Sequence, residues 1–555
     1  MAIRNSKPIT FLPTGLTDGS DQSETFPGAC LTIQNLVFNK TDIGSIVARP
    51  GVTVATSFPG FTTPTNIVCA MEIDGLVYGL VSTSRYSGKD EPFCYDAVNN
   101  VFITISNVLT GNVPLTVATT GEWVPPTMDV VGVYLLITHP GASGSNKFFW
   151  IDLTNPAAPA WSAGNTSTNS LPSAPTAVAQ YNNRAYYVCG NLVYWSAVLS
   201  PLTITNAGDA LKVGDTSNIT ALSGLPIHTS SQGILGGLIV FKDESLSQIT
   251  GDQATTNLSL NALSDAFGCS SPLTICAVPE GVAFMATDGV RIVMSSDSSV
   301  VLYNTDLCMP FIRCTNLSRA VASFNNGIYR ISLDTMDSSG GTANSRADYW
   351  LDVLRRRWTG PHTFKYDQVV STGNSFLLSS NSIAGTFLKS DVLPSASTSY
   401  YDNSIGYDCV LLSANMPPSE GGAMSTKCIN ESTVDLSVSA PNVNYQFNAL
   451  SDRGVSIGTS SITPLTTSVT LWGASLWGSG LWSAGVAPFD HTYSIEWDKP
   501  VIYNKLQLQI TVAAVPGVGI ERMFFREQQL GYTNIDVPLT GGGALILETG
   551  GYILL

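Results

Sequence analysis

Charge is scarce in this sequence. Asp, Glu, Lys and Arg make up 12% of its 555 residues, about half the share of an average globular protein. Solvent-facing helices take their polar faces from such residues, so a chain built mainly of helices is excluded. Histidine is rarer still, with only His139, His228, His362 and His491. The ten cysteines contain no C-x-x-C pair and no His cluster accompanies them, which removes zinc-site spacing. Apolar runs are short: none reaches the ~18 residues of a membrane span. The opening MAIRNSKPIT lacks the apolar stretch of a secretory signal. These absences lead us to expect synthesis in the cytoplasm, no membrane span, and cysteines present as buried free thiols. Positive charge is short too, with 26 Lys and Arg against 41 Asp and Glu and a net charge of −15. Gripping nucleic acid requires basic stripes. The balance argues against a grip, though not against nucleic acid sliding past.

Motifs of catalysis are missing as well. Gly141-Ala142-Ser143-Gly144-Ser145 fails the G-x-S-x-G pattern of a nucleophile elbow. There is no phosphate-binding P-loop and no G-x-G-x-x-G between a strand and a helix. Asp334, Asp337, Asp348 and Asp352 bracket a segment but lack the spacing and closing Glu of a calcium loop. Residues 336–346 read as an excursion between strands. A carboxylate pair assembled in space leaves no mark in a sequence, and solvating carboxylates are the simpler reading. No catalytic residue, cofactor or metal site is assigned, and the chain is not expected to be an enzyme.

What fills the sequence instead is Ser, Thr, Asn and Gly, residues of turns and polar strand faces. A unit recurs in which a short apolar strand, a turn and a stronger strand follow one another. It is seen around Gly75 (MEIDGLVYGL), Gly132 (MDVVGVYLL), Asn183 (VAQYNNRAYYV), Gly237 (GGLIVFKD), Gly281 (PEGVAFMATDG), Gly327 (NNGIYRISL) and Gly373 (TGNSFLLSS). The intervals, about 44 to 57 residues, suit four-stranded propeller blades with some long loops. We expect an all-β protein with a β-propeller of six or seven blades over 65–398. Strands in 1–64 are expected to contribute to a β-sandwich platform formed mainly by 399–555. Trp150, Trp161, Trp350 and Trp358 fall where large rings would wedge between blades. Arg355-Arg356-Arg357 is the one compact basic run. Placed in a hairpin between Trp350 and Trp358, it reads as a solvated turn or a salt bridge between subunits rather than a nucleic-acid contact.

Beyond residue 400 the alternation lengthens, as in Ser432-Thr433-Val434-Asp435-Leu436-Ser437-Val438 and Lys505-Leu506-Gln507-Leu508-Gln509-Ile510-Thr511-Val512. That period of two is the mark of half-buried strands. Between these stretches Trp472, Trp477 and Trp482 recur every five residues, a period suited to neither helix nor strand. The tract reads as an ordered loop whose indoles dock on a surface. The tail TGGGALILETGGYILL reads as an apolar segment packed against a neighbour. Trp472, Trp477, Trp482, Arg355, Arg356 and Arg357 are therefore the candidate assembly residues.

Three stretches together carry a family resemblance. Gly28-Ala29-Cys30-Leu31-Thr32-Ile33-Gln34-Asn35-Leu36-Val37-Phe38-Asn39, followed by Ser45-Ile46-Val47-Ala48-Arg49-Pro50-Gly51, resembles the opening of short-tailed bacteriophage tail nozzle proteins. Ala266-Phe267-Gly268-Cys269-Ser270-Ser271-Pro272 with Gly281-Val282-Ala283-Phe284-Met285-Ala286-Thr287-Asp288-Gly289-Val290 is similar to a unit inside them. The Trp-Gly repeat before a closing sandwich strand resembles their C-terminal part. The resemblance implies a structural virion protein of the tail. It would form a homo-oligomeric ring of six subunits, with a tail adaptor protein above and fibre or tip proteins as further neighbours. Double-stranded DNA would pass through the channel without specific binding. A receptor-binding adhesin and a glycan-active propeller enzyme are the competing readings, the first commonly trimeric, the second in need of clustered catalytic groups.

Overall fold

The computed structural model describes residues 7–19, 27–40, 45–57, 66–82, 90–106, 124–142, 147–164, 171–204, 210–230, 233–251, 258–303, 305–336, 344–380, 383–394, 398–416, 425–438, 443–464, 489–532, 544–546 and 552–554. Among them the only α-helix is a single turn, Met309–Ile312. The rest of the regular structure is β, apart from two short 3-10 turns.

The repeated unit of the sequence becomes a series of antiparallel sheets joined in chain order. Blade 1 runs from Asn66–Ile73 to Val101–Ile103, blade 2 from Thr127–Val131 to Ala160–Ala163, and blade 3 from Ala177–Tyr181 to Ser200–Ile204. Blade 4 spans Ala221–Ser230 to Ser259–Ser264, blade 5 Cys276–Val278 to Val300–Leu302, and blade 6 Val321–Asn325 to Arg357–His362. Blade 7 takes three strands, Gln368–Thr372, Ser375–Ser380 and Ile383–Asp391, from its own stretch of chain. Its outer strand is Val52–Ser57, which pairs antiparallel with Ile383–Asp391. The first strand of blade 7 packs against that of blade 1, so the ring closes on itself. The fold is a β-propeller.

Local sequence explains the turns. Asp74-Gly75 and Asn326-Gly327 hold both central residues at positive φ (51° and 84°, 47° and 82°), as a tight hairpin needs for its twist to match the strands. Asn182-Asn183 does the same with φ of 47° and 56°, since Asn tolerates the left-handed region. Gly237 departs from expectation. It lies within the strand Gly233–Phe241, opposite Leu225, because this hairpin is longer than its counterparts.

The core is a ring of separate apolar clusters lying in the seams between blades. One joins blades 1 and 2 around Leu80, Leu135 and Trp161. Further clusters fill the seams 2–3 (Leu136, Tyr187), 3–4 (Val188, Leu238), 4–5 (Phe241, Phe284), 6–7 (Trp350, Leu378) and 7–1 (Tyr95, Phe387). Trp161 stacks on Phe149 at 5.3 Å, and Trp350 and Trp358 are both 1% exposed. The seam between blades 5 and 6 differs: its residues Met285, Ile292 and Tyr329 belong to the same cluster as the platform's Leu436, Tyr445 and Ile510.

That platform is a sandwich of two sheets. One is built on the 14-residue antiparallel pair Ser425–Val438 and Gly519–Tyr532, with Lys7–Phe11, Leu36–Phe38, Ile46–Ala48, Phe489–Ser494 and Val501–Tyr503 added. The other contains Ala29–Gln34, Asp408–Ser413, Leu506–Ala513, Tyr445–Ser451 and Ser456–Ile462. It continues into blade 6, where Ile33 stands opposite Gly360. Two boundaries differ from the sequence reading. Val52–Ser57, within 1–64, completes a propeller blade rather than the platform. The hairpin Tyr401–Asp402 and Ile405–Gly406, beyond 398, is attached to that same blade through Asp402 and Val52. A strand at the open edge of the last blade lowers the number of unpaired backbone groups, and the N-terminal segment is placed to supply it. Residues 336 and 344 are also paired strand positions instead of part of an irregular excursion. In the tail, Ala544–Ile546 pairs with Tyr552–Leu554.

Candidate functional site

The most elaborate polar arrangement lies where propeller meets platform, and the N-terminal motif supplies its centre. Asn35, at φ 59°, ends the strand Ala29–Gln34, and its side chain is fully buried. Its Oδ1 accepts hydrogen bonds from Arg49 Nε (3.0 Å) and from the Thr363 amide (3.1 Å), while its Nδ2 donates to the Asp408 carbonyl (2.7 Å). Arg49, also with no exposed surface, donates to both oxygens of Asp402 at 3.0 and 2.5 Å. Such a two-point pair fixes orientation as well as distance. Burial alone would lower the Arg49 pKa, but the Asp402 carboxylate more than offsets it and leaves the group above its ordinary value. Gly51 completes the motif: a Cβ there would strike the backbone of Tyr401. Three elements distant in sequence thus meet at one guanidinium.

His362 sits against this node. Its Nδ1 accepts the Asn35 amide at 3.0 Å, so the ring hydrogen lies on Nε2, which faces Thr359 Oγ1 at 3.4 Å. Burial, then the positive charges of Arg49 and Arg330, hold its pKa well below the ordinary 6.5. Deeper in blade 6, Arg330 and Asp348 form a pair with 0% and 1% of their side chains exposed. Tyr366 OH and Trp350 Nε1 donate to the same carboxylate at 2.7 and 3.0 Å, and the guanidinium lies 4.7 Å from the centres of both rings. Nearby, Arg346 bonds Asp334 at 3.3 Å and the Tyr366 carbonyl at 2.5 Å. A lone Arg inside Ile328-Tyr329-Arg330-Ile331 and a lone Asp before Tyr349-Trp350 were the sequence signals of this buried pairing. In the sequence each looks like an ordinary charge, because only the side-by-side strands bring the two together.

The internal motif around Gly268 is a seam device too. Cys269 is fully buried; its amide donates to the Lys242 carbonyl (2.8 Å) and its carbonyl accepts from Thr220 Oγ1 (2.7 Å). A Cβ on Gly268 would collide with the Lys242 carbonyl oxygen.

Arg355, Arg356 and Arg357 point in different directions from one hairpin. Arg355 bonds Asp352 (2.6 Å) and the Asn39 carbonyl (2.8 Å), Arg356 bonds Glu280 (3.2 Å), and Arg357 bonds Asp306 (2.5 Å). The run therefore ties blade 6 to blade 5 and to the N-terminal segment within the same chain. Trp472, Trp477 and Trp482 lie outside the described residues.

A second feature is the hollow on the propeller axis, about 600 Å³, lined by the inner strands. Glu72, Asp129, Gln180, Ser323 and Gln368 are among its polar lining residues, and among the described residues no Lys, Arg or His lines it. Asp129 accepts the Gln180 amide at 2.6 Å and its neighbour Val130 at 2.8 Å. Burial raises its pKa, and these two bonds partly oppose the shift. Glu72 likewise accepts the Gly373 amide at 3.0 Å. Both carboxylates serve to hold adjacent blades. Among the described residues no group of three or more His, Cys, Asp and Glu is arranged to hold a metal ion, and no helix is long and apolar enough to cross a membrane. The ten cysteines are all free. Burial pushes the thiols of Cys269, Cys276 and Cys409 up to about 12, far from the range of a reactive thiolate.

No protein-family model and no curated protein matches the chain. Solved structures do. The extracellular domain of a putative one-component system from B. thetaiotaomicron is 10% identical, with a TM-score of 0.33, over 60% of this chain and 39% of that one. The β-propeller domain of the Trilobed protease from Pyrococcus furiosus is 9% identical, with a TM-score of 0.32, over 61% of this chain and all of that one. A family 43 arabinoxylan arabinofuranohydrolase from Bacillus subtilis is 12% identical, with a TM-score of 0.22, over 86% of this chain and 99% of that one. The chain thus spans about two-fifths of the first of these.

Proposed function

We propose that this chain is a structural subunit of a phage tail nozzle, a ring-shaped conduit through which DNA leaves the particle, and that it has no catalytic role. The observation that carries the reading is the joint. The motif residues behind the family resemblance, Asn35 and Arg49-Pro50-Gly51, hold a propeller onto a sandwich through buried bonds, and the two parts share one sheet. A component of a conduit under load needs a fixed angle between its parts, and this joint supplies one. In this reading six copies form the ring in the virion tail, an adaptor binds above and fibre or tip proteins bind around it. An acidic chain suits the passage of DNA, because a basic lumen would exchange counterions with the duplex and hold it. Acidic and amide groups should therefore outnumber Lys and Arg on the lumen.

Electron microscopy of particles containing the chain, and of the purified chain, tests this. A six-membered ring with an axial opening is the expected image. Trimeric fibres or a dispersed monomer under all conditions would defeat it. The axial hollow favours a second reading, an adhesin whose propeller face takes a polar, uncharged ligand such as a glycan. Saturable binding on a glycan array, abolished by Gln180→Ala, would favour that reading over the conduit.

A further inference from the structure

Two hollows adjoin along the outside of the joint. One, of about 500 Å³, lies between the N-terminal segment and blade 6. The other, of about 800 Å³, lies beneath the Tyr401–Gly406 hairpin. Gln34, Thr363 and Lys365 line both, so the two form one trough. Behind its walls, Arg49 bonds both Asn35 and Asp402 and so ties the strands together.

The trough presents two exposed cations. Arg313 lines the first hollow and Lys365 lines both. Both residues are exposed, and neither makes an ion pair among the described residues. Arg49, Arg330, Arg346 and the 355–357 triplet, by contrast, are all held by carboxylates of their own chain. Of the carboxylates nearby, Asp402 is taken by Arg49. Asp18 accepts the amides of Cys308 and Met309 at 2.5 and 2.7 Å. Asp408 stands exposed in the second hollow. Beyond the cationic stretch the ends are apolar. Met309, 36% exposed, lines one end, and Ile405, 70% exposed, the other.

We infer that this trough is a docking surface for a second copy of this chain, receiving a segment in which a carboxylate is flanked by apolar residues. The inference rests on the ring reading and specifies where neighbouring subunits meet. Charge complementarity identifies the occupant: a chain of net charge −15 that, among its described residues, leaves two exposed cations without an ion pair in an apolar-ended trough matches its own acidic surface. Duplex DNA is a poorer fit, because two cations neutralise too few phosphates for a firm contact and the apolar ends have nothing to meet on a phosphate backbone.

The test measures self-association of the full chain by sedimentation velocity and mass photometry. The variants are Arg313→Glu with Lys365→Glu, Ile405→Asp, and Leu354→Asp as a control. Leu354 is 89% exposed and lies off the trough. All substituted side chains are exposed, and circular dichroism with a thermal melt checks that each variant is folded. The expected result is association weakened about tenfold or more by the double charge reversal and by Ile405→Asp, weakened also by high salt in the unsubstituted chain, and unaffected by Leu354→Asp. If the double variant associates as the unsubstituted chain does, the docking surface is refuted while the ring reading stands. If the unsubstituted chain never associates, both fall. If instead a labelled DNA duplex binds the unsubstituted chain and is lost in the double variant with association unchanged, the trough is a nucleic-acid site and the inference is overturned.

Discussion

Between most blades, the seam is closed by apolar clusters and by polar side chains, neutral or carboxylate, that reach a neighbour's backbone. Thr127 Oγ1 accepts the Val178 amide (3.1 Å), Asn325 Nδ2 donates to the Ser375 carbonyl (2.9 Å), and Gln368 Nε2 donates to the Val68 carbonyl (3.0 Å). At the propeller–platform seam the buried Arg49 guanidinium meets the Asp402 carboxylate instead, and a second buried pair, Arg330 with Asp348, lies in blade 6 beside Trp350 and Tyr366 of the 6–7 cluster. The difference follows from geometry. Adjacent blades present similar twisted faces, so apolar packing seats them, and each inner strand needs only an occasional partner for its free backbone groups. The platform meets the propeller with unrelated strands at unlike angles. A planar group with five donors in a fixed fork can tie several such strands at once. An ionic node also penalises wrong arrangements more than an apolar one, because a buried charge left unpaired is costly.

The comparison breaks most decisively at Asp348. Asp348→Ala leaves Arg330 charged and buried with no counterion, and Tyr366 and Trp350 lose their acceptor. The expected loss is about 3–5 kcal/mol, read from urea unfolding. The neutral counterpart, Asn325→Ala, should cost only about 1–3 kcal/mol. Replacing both charges, Arg330→Met with Asp348→Leu, should cost less than Asp348→Ala alone. Equal costs for Asp348→Ala and Asn325→Ala would show that buried ionic and neutral contacts do not differ in kind.

Arg49→Ala comes next. Asp402 is 12% exposed and can recover water, so about 2–4 kcal/mol is expected. The more telling readout is cooperativity. With the node removed, calorimetry should resolve two transitions, propeller and platform, where the unsubstituted chain shows one. A single sharp transition in the variant would mean that the shared sheet alone couples the parts.

Two glycines make the same probe at both seams. Gly268→Ala drives a methyl into the Lys242 carbonyl between blades 4 and 5, and Gly51→Ala drives one into Tyr401 at the joint. Backbone cannot yield as a flexible side chain does, so each should lower stability by about 1–3 kcal/mol. Here the seams should agree, because the clash is steric in both.

The joint should respond to mild acid through His362. Its folded pKa lies well below 6.5, so near neutrality it is uncharged in both folded and unfolded chains and costs nothing. Below pH 6.5 the unfolded chain takes up a proton that the folded chain refuses. Stability then falls by about 1.4 kcal/mol for each pH unit until the folded value is reached. His362→Gln should be less stable at pH 7.5 but flatten the profile between pH 6.5 and 5. An unchanged slope would assign the acid sensitivity elsewhere.

How much of this could be read from the sequence depends on how local its cause is. The blade period was visible because Asp74-Gly75 and Asn326-Gly327 demand a tight turn wherever they occur. The sandwich strands announced themselves through alternation, as in Leu506-Gln507-Leu508-Gln509-Ile510. The role of Val52–Ser57 was hidden: its partner, Ile383–Asp391, is more than three hundred residues away, and a strand of six residues carries no mark of the sheet it will join. Asn35 and Arg49 stood out as a motif, but their bonds run to Thr363, Asp402 and Asp408, and nothing in the chain's order brings those together. Arg355, Arg356 and Arg357 are adjacent in the sequence, yet the hairpin turns each toward a different carboxylate, Asp352, Glu280 and Asp306, and nothing in the run itself marks those partners.

The smallest effect concerns that hairpin and separates surface charge from backbone conformation. Arg356 has φ of 55°, a conformation that costs a non-glycine residue roughly 1–2 kcal/mol. It bonds Glu280 at 3.2 Å, with the two side chains 55% and 32% exposed, and its guanidinium lies 5.9 Å from the centre of the Tyr303 ring. Exposed pairs of this kind contribute about 0–1 kcal/mol, and salt screens them. The two terms oppose each other, and the backbone term is the larger. Arg356→Gly relieves it while giving glycine more freedom to lose on folding, so the net expectation is a change within about 1 kcal/mol of zero, tending toward stabilisation at high salt. Arg356→Ala keeps the strain and loses the pair, so it should be the less stable of the two by chemical denaturation at any ionic strength. If Arg356→Ala equals Arg356→Gly, the turn is not strained. If Arg356→Gly is instead the more damaging change at low salt, the exposed pair is worth more than its surroundings allow, and surface and buried ion pairs in this protein differ less than their burial implies.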